Sequence, residues 1–490
     1  MTPLLIFAFL LLAAASAYAV RSERRVRQAS LASAAIGGTV VFGAALSGLL
    51  GRWTPAVDGW WHADAFTWML VGLIAFVYVA AAAVSYRYVG VERHEGALAL
   101  PQVRLYFCLL HLFVLTMLAA ALADNLGVLW MSLEGTTLAT TMLVAMYRKD
   151  ASIEAAWKYI ILCSIGISLG LLGMLMFVHA AALGAGLSPE EALSLSALRA
   201  HASFFDPSLV RWAFIFVFIG LGTKVGFVPM HAWLPDAHSK TPSPISAMLS
   251  GILLNVAFAA ILRFKTVADA ALGGGEWTEG LFLAFGLLSA VVAALFLLQQ
   301  RNYKRMLAYS SVEHMGIMAF AVGLGPVGLA AALVHTVGHT LVKPMLFFGA
   351  GEFLLAYKST HIEDVREARR RLPITSTLFL FGLLLILAVP PSALFSSEFL
   401  AIGAGLQVHP WLSLLLLAAL SVIALGMLRS VAAMLYGKAA TTTEAAPERF
   451  NLTHGVMILQ LCAALAFGAF ALTPTAMRFF SGIAQSLTAL

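Results

Sequence analysis

Charge is what this chain has least of. Asp, Glu, Lys and Arg make up 11% of its 490 residues, against roughly 25% in soluble globular domains. With a mean hydropathy of +0.90, that shortage excludes an ordinary soluble fold and leaves almost no polar sequence for a soluble domain. Cysteine is nearly missing too. Cys108, Cys163 and Cys462 stand singly in apolar stretches with no Cys-x-x-Cys spacing, which excludes thiolate-held iron–sulfur clusters and a disulfide framework. There is no G-x-G-x-x-G and no P-loop, so no nucleotide site is legible. The chain is expected to hold no cofactor and no metal of its own.

What is present is a succession of apolar runs of about 20 residues, the length that spans ~30 Å of hydrocarbon. Roughly fourteen recur along the chain, two of them interrupted, so the fold class is an all-α integral membrane protein. The first run, Thr2 to Val20, ends in Ala-Tyr-Ala before Arg21 and imitates a signal peptide. It lacks a basic leading region and is read as the first helix. Of the 30 Lys and Arg residues, 22 fall on one side when the loops are alternated and six (Arg52, Arg199, Arg211, Arg263, Lys265, Arg478) on the other. Basic loops stay in the cytoplasm. The expected location is therefore a bacterial inner membrane, with both termini outside. The pI near 9.3 is a topology signal and implies no nucleic-acid partner. The polar insert Gly184 to Asp206 reads as a connector or a short amphipathic helix at the outer surface. Tyr357 to Leu372 reads as a solvated helix or a docking surface.

Two basic residues, Lys224 and Lys343, are left inside the membrane. Lys224 lies in WAFIFVFIGLGTKVGFVPM. A charge at bilayer depth costs on the order of 3 kcal/mol on insertion scales, so it is a functional candidate by default. Glu134, in WMSLEGTTLATTML, is the carboxylate suited to pair with it. Pro229 and Pro235 remove backbone donors and should break the helix beyond Lys224. Pro390-Pro391 interrupts another run just before Glu398. Two broken helices with ionisable neighbours in two halves of a chain suggest an inverted repeat. His335, His339 and Lys343 recur at i, i+4, i+8 and share one helical face. Imidazoles titrating near neutrality can hand protons along such a stripe, or simply hydrogen-bond within the core. His-x-x-x-His is also a zinc spacing, but no third ligand is visible near it. Glu313-His314, His231 and His238 are softer candidates, placed close to the inner surface, where they can be solvated or serve as caps.

The block GTKVGFVPMHAWLPDAHSKTPSPISAMLSG, with RNYKRMLAYSSVEHMG and the Glu134 helix, resembles the antiporter-like subunits shared by respiratory complex I, Mrp cation/proton antiporters and membrane-bound group 4 hydrogenases. The resemblance covers about Leu105 to Leu435. PPSALFSSEFL is most similar to the hydrogenase-4-type F subunit of formate hydrogenlyase-like assemblies. The resemblance implies a Glu134–Lys224 pair, a central axis of His335, His339 and Lys343, and Glu398 as terminal carrier. Two departures stand out. Asn255 occupies a position where many relatives have lysine, and Ser392 replaces a phenylalanine.

The expected organisation is an N-terminal unit over 1–102, a first five-helix repeat over 103–270, an inverted second repeat over 271–440 and one C-terminal helix over 441–490. The expected function is proton translocation within a redox-driven complex of the group 4 hydrogenase type. Its partners would be other membrane subunits, a peripheral redox arm and the bilayer. A complex I-type or Mrp-type sodium/proton subunit, or a non-transporting scaffold for redox subunits, are the alternatives.

Overall fold

The computed structural model describes residues 3–51, 60–438 and 448–488 and is helical throughout. The principal helices are α1 (Pro3–Ala19), α2 (Glu23–Leu49), α3 (Ala65–His94), α4 (Leu100–Leu122), α5 (Leu126–Val144) and α6 (Asp150–Ala185). α7 (Pro207–Val225) is followed by α8 (Trp233–Lys240), α9 (Ser243–Leu272), α10 (Glu276–Leu297), α11 (Tyr303–Val322) and α12 (Gly325–Tyr357). The last are α13 (Pro373–Ile386), α14 (Ala393–Val408), α15 (Pro410–Tyr436), α16 (Leu452–Ala471) and α17 (Pro474–Thr488). Only isolated β-bridges occur among the described residues, and each ties a loop to a helix end, as Asn302 does with His361.

Among the described residues, ten helical stretches are long and apolar enough to cross a bilayer, fewer than the roughly fourteen expected from 20-residue runs. The shortfall is physical. α5 and α11 are long enough but carry Thr, Ser, Glu and His in place of an apolar run, while α1, α13 and α14 are short. The single C-terminal helix expected over 441–490 is two, α16 and α17, because Pro474 starts a new helix. Its predicted boundary at 441, the Thr2 start of α1 and the predicted outer residue Arg52 lie outside the described residues. The stretch 357–372 is not a continuous helix. α12 ends where Lys358 turns left-handed, at φ +55°, and the segment then lies along the start of α11, with Tyr303 donating to Ser359 O at 3.0 Å. The insert 184–206 holds two short helices, Pro189–Ala192 and Leu195–Ala200.

Burial is graded as a lipid solvent requires. α9 is buried along its whole apolar length, and α12 sits at the centre, packed on α3, α9, α11, α13, α14, α16 and α17. Peripheral helices expose apolar side chains such as Ile36, Trp157, Leu175, Leu295 and Leu425. With no hydrophobic force between helices in lipid, small residues set the close contacts. A Cβ added at Gly220 of α7 would lie 2.3 Å from the backbone N of Gly170 on α6. One added at Gly286 of α10 would lie 2.4 Å from the backbone N of Phe320 on α11.

The loops sort to two ends. At one, Arg104 donates to Tyr18 O at 2.6 Å, Glu95 pairs with Lys358, Asp236 bridges Lys158 (3.2 Å) and Arg305 (2.7 Å), and Arg366 donates to Ala433 O at 2.8 Å. At the other, Arg263 donates to Ala121 O and Ala123 O, at 2.7 and 3.0 Å, and Arg199 to Ser486 O at 2.6 Å. The first end carries most of the basic residues.

Two helices stop inside the bundle. α7 stops one residue after Lys224, but the break is made by Gly226, whose φ of +87° closes the helix through its N–H to Gly222 O and Thr223 O. Pro229 follows the break and Pro235 lies in the first turn of α8, where a missing N–H is harmless, so neither proline starts the interruption as expected. α13 ends at Ile386, and α14 begins after Pro390-Pro391 with Ser392 as N-cap. The Ser392 hydroxyl accepts from Leu394 N at 3.2 Å and donates to Leu385 O at 2.8 Å, stitching the two half-helices together, which a phenylalanine could not do.

Candidate functional site

Lys224 occupies the last turn of α7, where the aligned peptide dipoles give the helix end a partial negative charge that suits a cation. It is fully buried (0% exposed). Its Nζ donates to Thr137 Oγ1 of α5 and Tyr159 OH of α6, each at 2.8 Å, and stands 5.0 Å from the Tyr159 ring centroid. The Tyr159 hydroxyl also meets Thr140 Oγ1 at 2.7 Å. A direct Glu134–Lys224 ion pair is not formed. Glu134 Oε1 accepts from Ser164 Oγ at 2.7 Å, and its Oε2 is buried without a protein partner. The carboxylate and the ammonium are joined through α5 itself, because Thr137 lies one turn from Glu134 and faces Lys224.

Asn255 lies on α9 just beyond a π-helical turn, Leu249–Leu253, a geometry that recurs at functional positions. Its amide donates to Thr340 Oγ1 of α12 at 2.8 Å and to Gly251 O at 3.1 Å, and its Oδ1 has no protein partner. Thr340 is the neighbour of His339, so the position without a base still reaches the α12 stripe, by hydrogen bond. Ser250 and Ser311 make a second link, between α9 and α11, at 2.7 Å.

The α12 stripe is part of a larger cluster. His314 of α11 bonds His335 nitrogen to nitrogen at 3.0 Å, and the other nitrogen of His335 meets Ser397 Oγ of α14 at 2.9 Å. The His339 ring is 5.2 Å from that of His314, and both of its nitrogens lack a protein partner. Lys343 bonds Ser310 of α11. Donor atoms of His314, His335 and Glu398 all lie within 4.8 Å of one another, so a third ligand does stand near this histidine stripe, and the three can also hold a cation. A bond between two imidazole nitrogens needs one proton shared between them.

Glu313 and His314 are not surface groups, contrary to expectation. Both are buried, because α11 enters the bundle and half its length separates them from the basic end. His238 is also buried, stacked on Phe347 at 5.2 Å with both nitrogens unpartnered. His231 is half-buried beside Phe296 and Tyr309. Residues the sequence reading passed over are Thr137, Tyr159, Ser164, Ser310, Thr340 and Ser397. The Thr136, Thr137, Thr140 and Thr141 pattern of α5, hydroxyls at helical spacing in an apolar run, was the available signal. Burial itself was not visible.

A bundle with two interrupted helices and ionisable groups strung between them is that of an antiporter-like, multi-pass membrane subunit. The chain belongs to the NADH:quinone oxidoreductase/Mrp antiporter transmembrane family, which matches residues 123–424. A hydrogenase-4 component F homolog of Methylacidiphilum infernorum is 40% identical over 74% of this chain and 76% of its own. Hydrogenase-4 component B of Escherichia coli is 29% identical over 75% of this chain and 53% of its own. Two solved structures share the fold over 99% of this chain and 97% and 99% of theirs. A chain of an archaeal membrane-bound sulfane sulfur reductase has a TM-score of 0.87 at 24% identity, and one of Thermus thermophilus complex I has 0.82 at 20%.

Proposed function

We propose that the chain is the proton-translocating subunit of a redox-driven membrane complex of the group 4 hydrogenase type. The observation that carries this is the run of polar side chains, most of them buried, that crosses the interior. It starts at Lys224 and Glu134, resumes at Asn255 and Thr340, and continues through His339, His314 and His335 to Ser397 and Glu398. Buried groups of this kind are too costly to keep without a use. The similarity to hydrogenase-4 components favours the hydrogenase type over complex I-type or Mrp-type assemblies.

In this reading the basic end faces the cytoplasm. The ten long spans, α1, α5, α11 and the α13–α14 pair make about fourteen crossings, arranged as two inverted five-helix repeats. A change at a neighbouring subunit displaces the Lys224 ammonium from the hydroxyls of Thr137 and Tyr159 toward or away from Glu134, which changes its hold on its proton. The proton passes by way of water near Asn255 to the imidazoles, where the shared His314–His335 proton lets one arrive as another leaves toward Glu398. A redox centre belongs to partners. The test is proton uptake by membrane vesicles containing the assembled complex. Lys224→Ala or Glu134→Ala should abolish electron-coupled proton movement while the complex still assembles. Unchanged pumping would reduce the chain to a scaffold, and pumping that requires sodium would move it to the Mrp type.

A further inference from the structure

At the basic end a cavity of about 490 Å³ opens between the ends of α3, α5, α8 and α12 and the starts of α6 and α11. That is room for on the order of ten waters at ~30 Å³ each. Its mouth is lined by Lys149, Lys240, Lys358 and His361, and its inner wall by two buried ionisable residues, Glu92 and Lys304. Glu92 Oε1 accepts from Tyr147 OH at 2.5 Å, and Oε2 has no protein partner. The Lys304 ammonium donates to Thr241 O at 2.5 Å, which uses one of its three N–H groups. Both residues are built into the wall of a cavity that opens to solvent, and neither is used by the run of side chains already described.

The inner wall also leads somewhere. Thr241, which anchors Lys304, is three residues from His238, and Ser246 Oγ ties the two by donating to His238 O at 3.1 Å and Thr241 O at 3.4 Å. The unpartnered His238 ring lies on Phe347 of α12, and Phe347 is one turn from Lys343. His238 is thus interposed between a lysine on the cavity wall and a lysine of the central stripe.

We propose that this cavity is the port through which protons pass between the solution at the basic end and the α12 stripe, with Glu92 and Lys304 as the entry groups and His238 as the link to Lys343. The inference rests on the proton-translocation reading above and adds to it a place of entry. The second carboxylate oxygen of Glu92 is buried in the cavity wall without a protein partner, and the Lys304 ammonium keeps two N–H bonds beyond the one given to Thr241 O. His238, with both ring nitrogens unpartnered, can accept a proton at one and release one at the other.

The test uses the assembled complex in vesicles, with electron flux held constant. Glu92→Gln and Lys304→Met keep shape while removing the titrating group, and each should lower proton movement by tenfold or more. Lys304→Ala opens space beside the cavity, and methylamine added on the basic side should restore a measurable part of its lost pumping, which a structural defect would not allow. If Lys224→Ala stops pumping but Glu92→Gln and Lys304→Met leave it unchanged, the port is overturned and the translocation reading stands. Loss of pumping in Lys304→Ala with no amine rescue makes Lys304 structural and also overturns the port. If Lys224→Ala itself pumps normally, both fall.

Discussion

The two interrupted helices carry ionisable residues of opposite type, one beside each break. Lys224 closes the C-terminal turn of α7, and Glu398 lies in the second turn of α14, near its positive end. Their surroundings differ more than their positions. The lysine is held by two neutral hydroxyls, with its carboxylate a helical turn away, so one charge is solvated without being neutralised. Glu398 instead stands among two imidazoles and a serine, with buried Glu313 next in sequence to one of them and His339 unpartnered nearby. In the proposed translocation reading, the first region holds one charge whose proton affinity is tuned, and the second exchanges protons, because several groups compete for few of them.

The largest effect should come from removing the charges themselves. Lys224→Ala and Glu398→Gln should each lower electron-coupled proton uptake in vesicles more than tenfold. Retained pumping in only one of them would break the comparison and confine transport to the other half. Next come His314→Gln and His335→Gln. Because the two imidazoles share one proton, each single change should cost severalfold and the double change little more, whereas additive losses would mean they act separately. Tyr159→Phe and Thr137→Val each remove one acceptor from the ammonium. A hydrogen bond to a charged group is worth about 1.5–3 kcal/mol, so thermal unfolding of the purified complex should move to lower temperature, with pumping reduced only a few-fold.

The smallest effect should come from a contact outside both regions. Burial alone would raise the Glu448 carboxyl, but His454, the Thr375 hydroxyl and the backbone N–H groups of Ile374 and Thr375 hold it below the usual carboxylate range. A depressed carboxylate stabilises above its ordinary titration range, and the contribution disappears as pH falls through the lowered value. Glu448→Gln should therefore lower stability near neutrality, flatten the acid limb of a stability profile and leave pumping unchanged.

How far the sequence carried the reading differs by kind of feature. Lys224, Glu134 and the His335–His339–Lys343 stripe could be picked out because an ionisable residue in an apolar run has no cheap alternative placement. Hydroxyls carry no such signal. Thr137 and Tyr159 are ordinary in a transmembrane helix, and only the fold shows that they meet on one ammonium. The helix break was expected at the right place for a partly wrong reason, since proline is conspicuous and a left-handed glycine such as Gly226 is not. Lys304 is one of the 22 basic residues counted on the first side, and that count carries no signal of its burial. One residue from half-buried Arg305 it turns inward, and a one-residue shift rotates a helical side chain by about 100°.

The glycine contact between α6 and α7 has a mechanical consequence. With Gly220 backbone-to-backbone against Gly166 and Gly170, the two helices have no side-chain cushion in which to slide or tilt past one another. Tyr159 and Lys224 hang from this welded pair on opposite members, so the distance between their backbones is a fixed length. Any signal that reaches the ammonium must then act by swinging its four-carbon stem or by displacing α5, whose Thr137 is the one contact not tied to the weld.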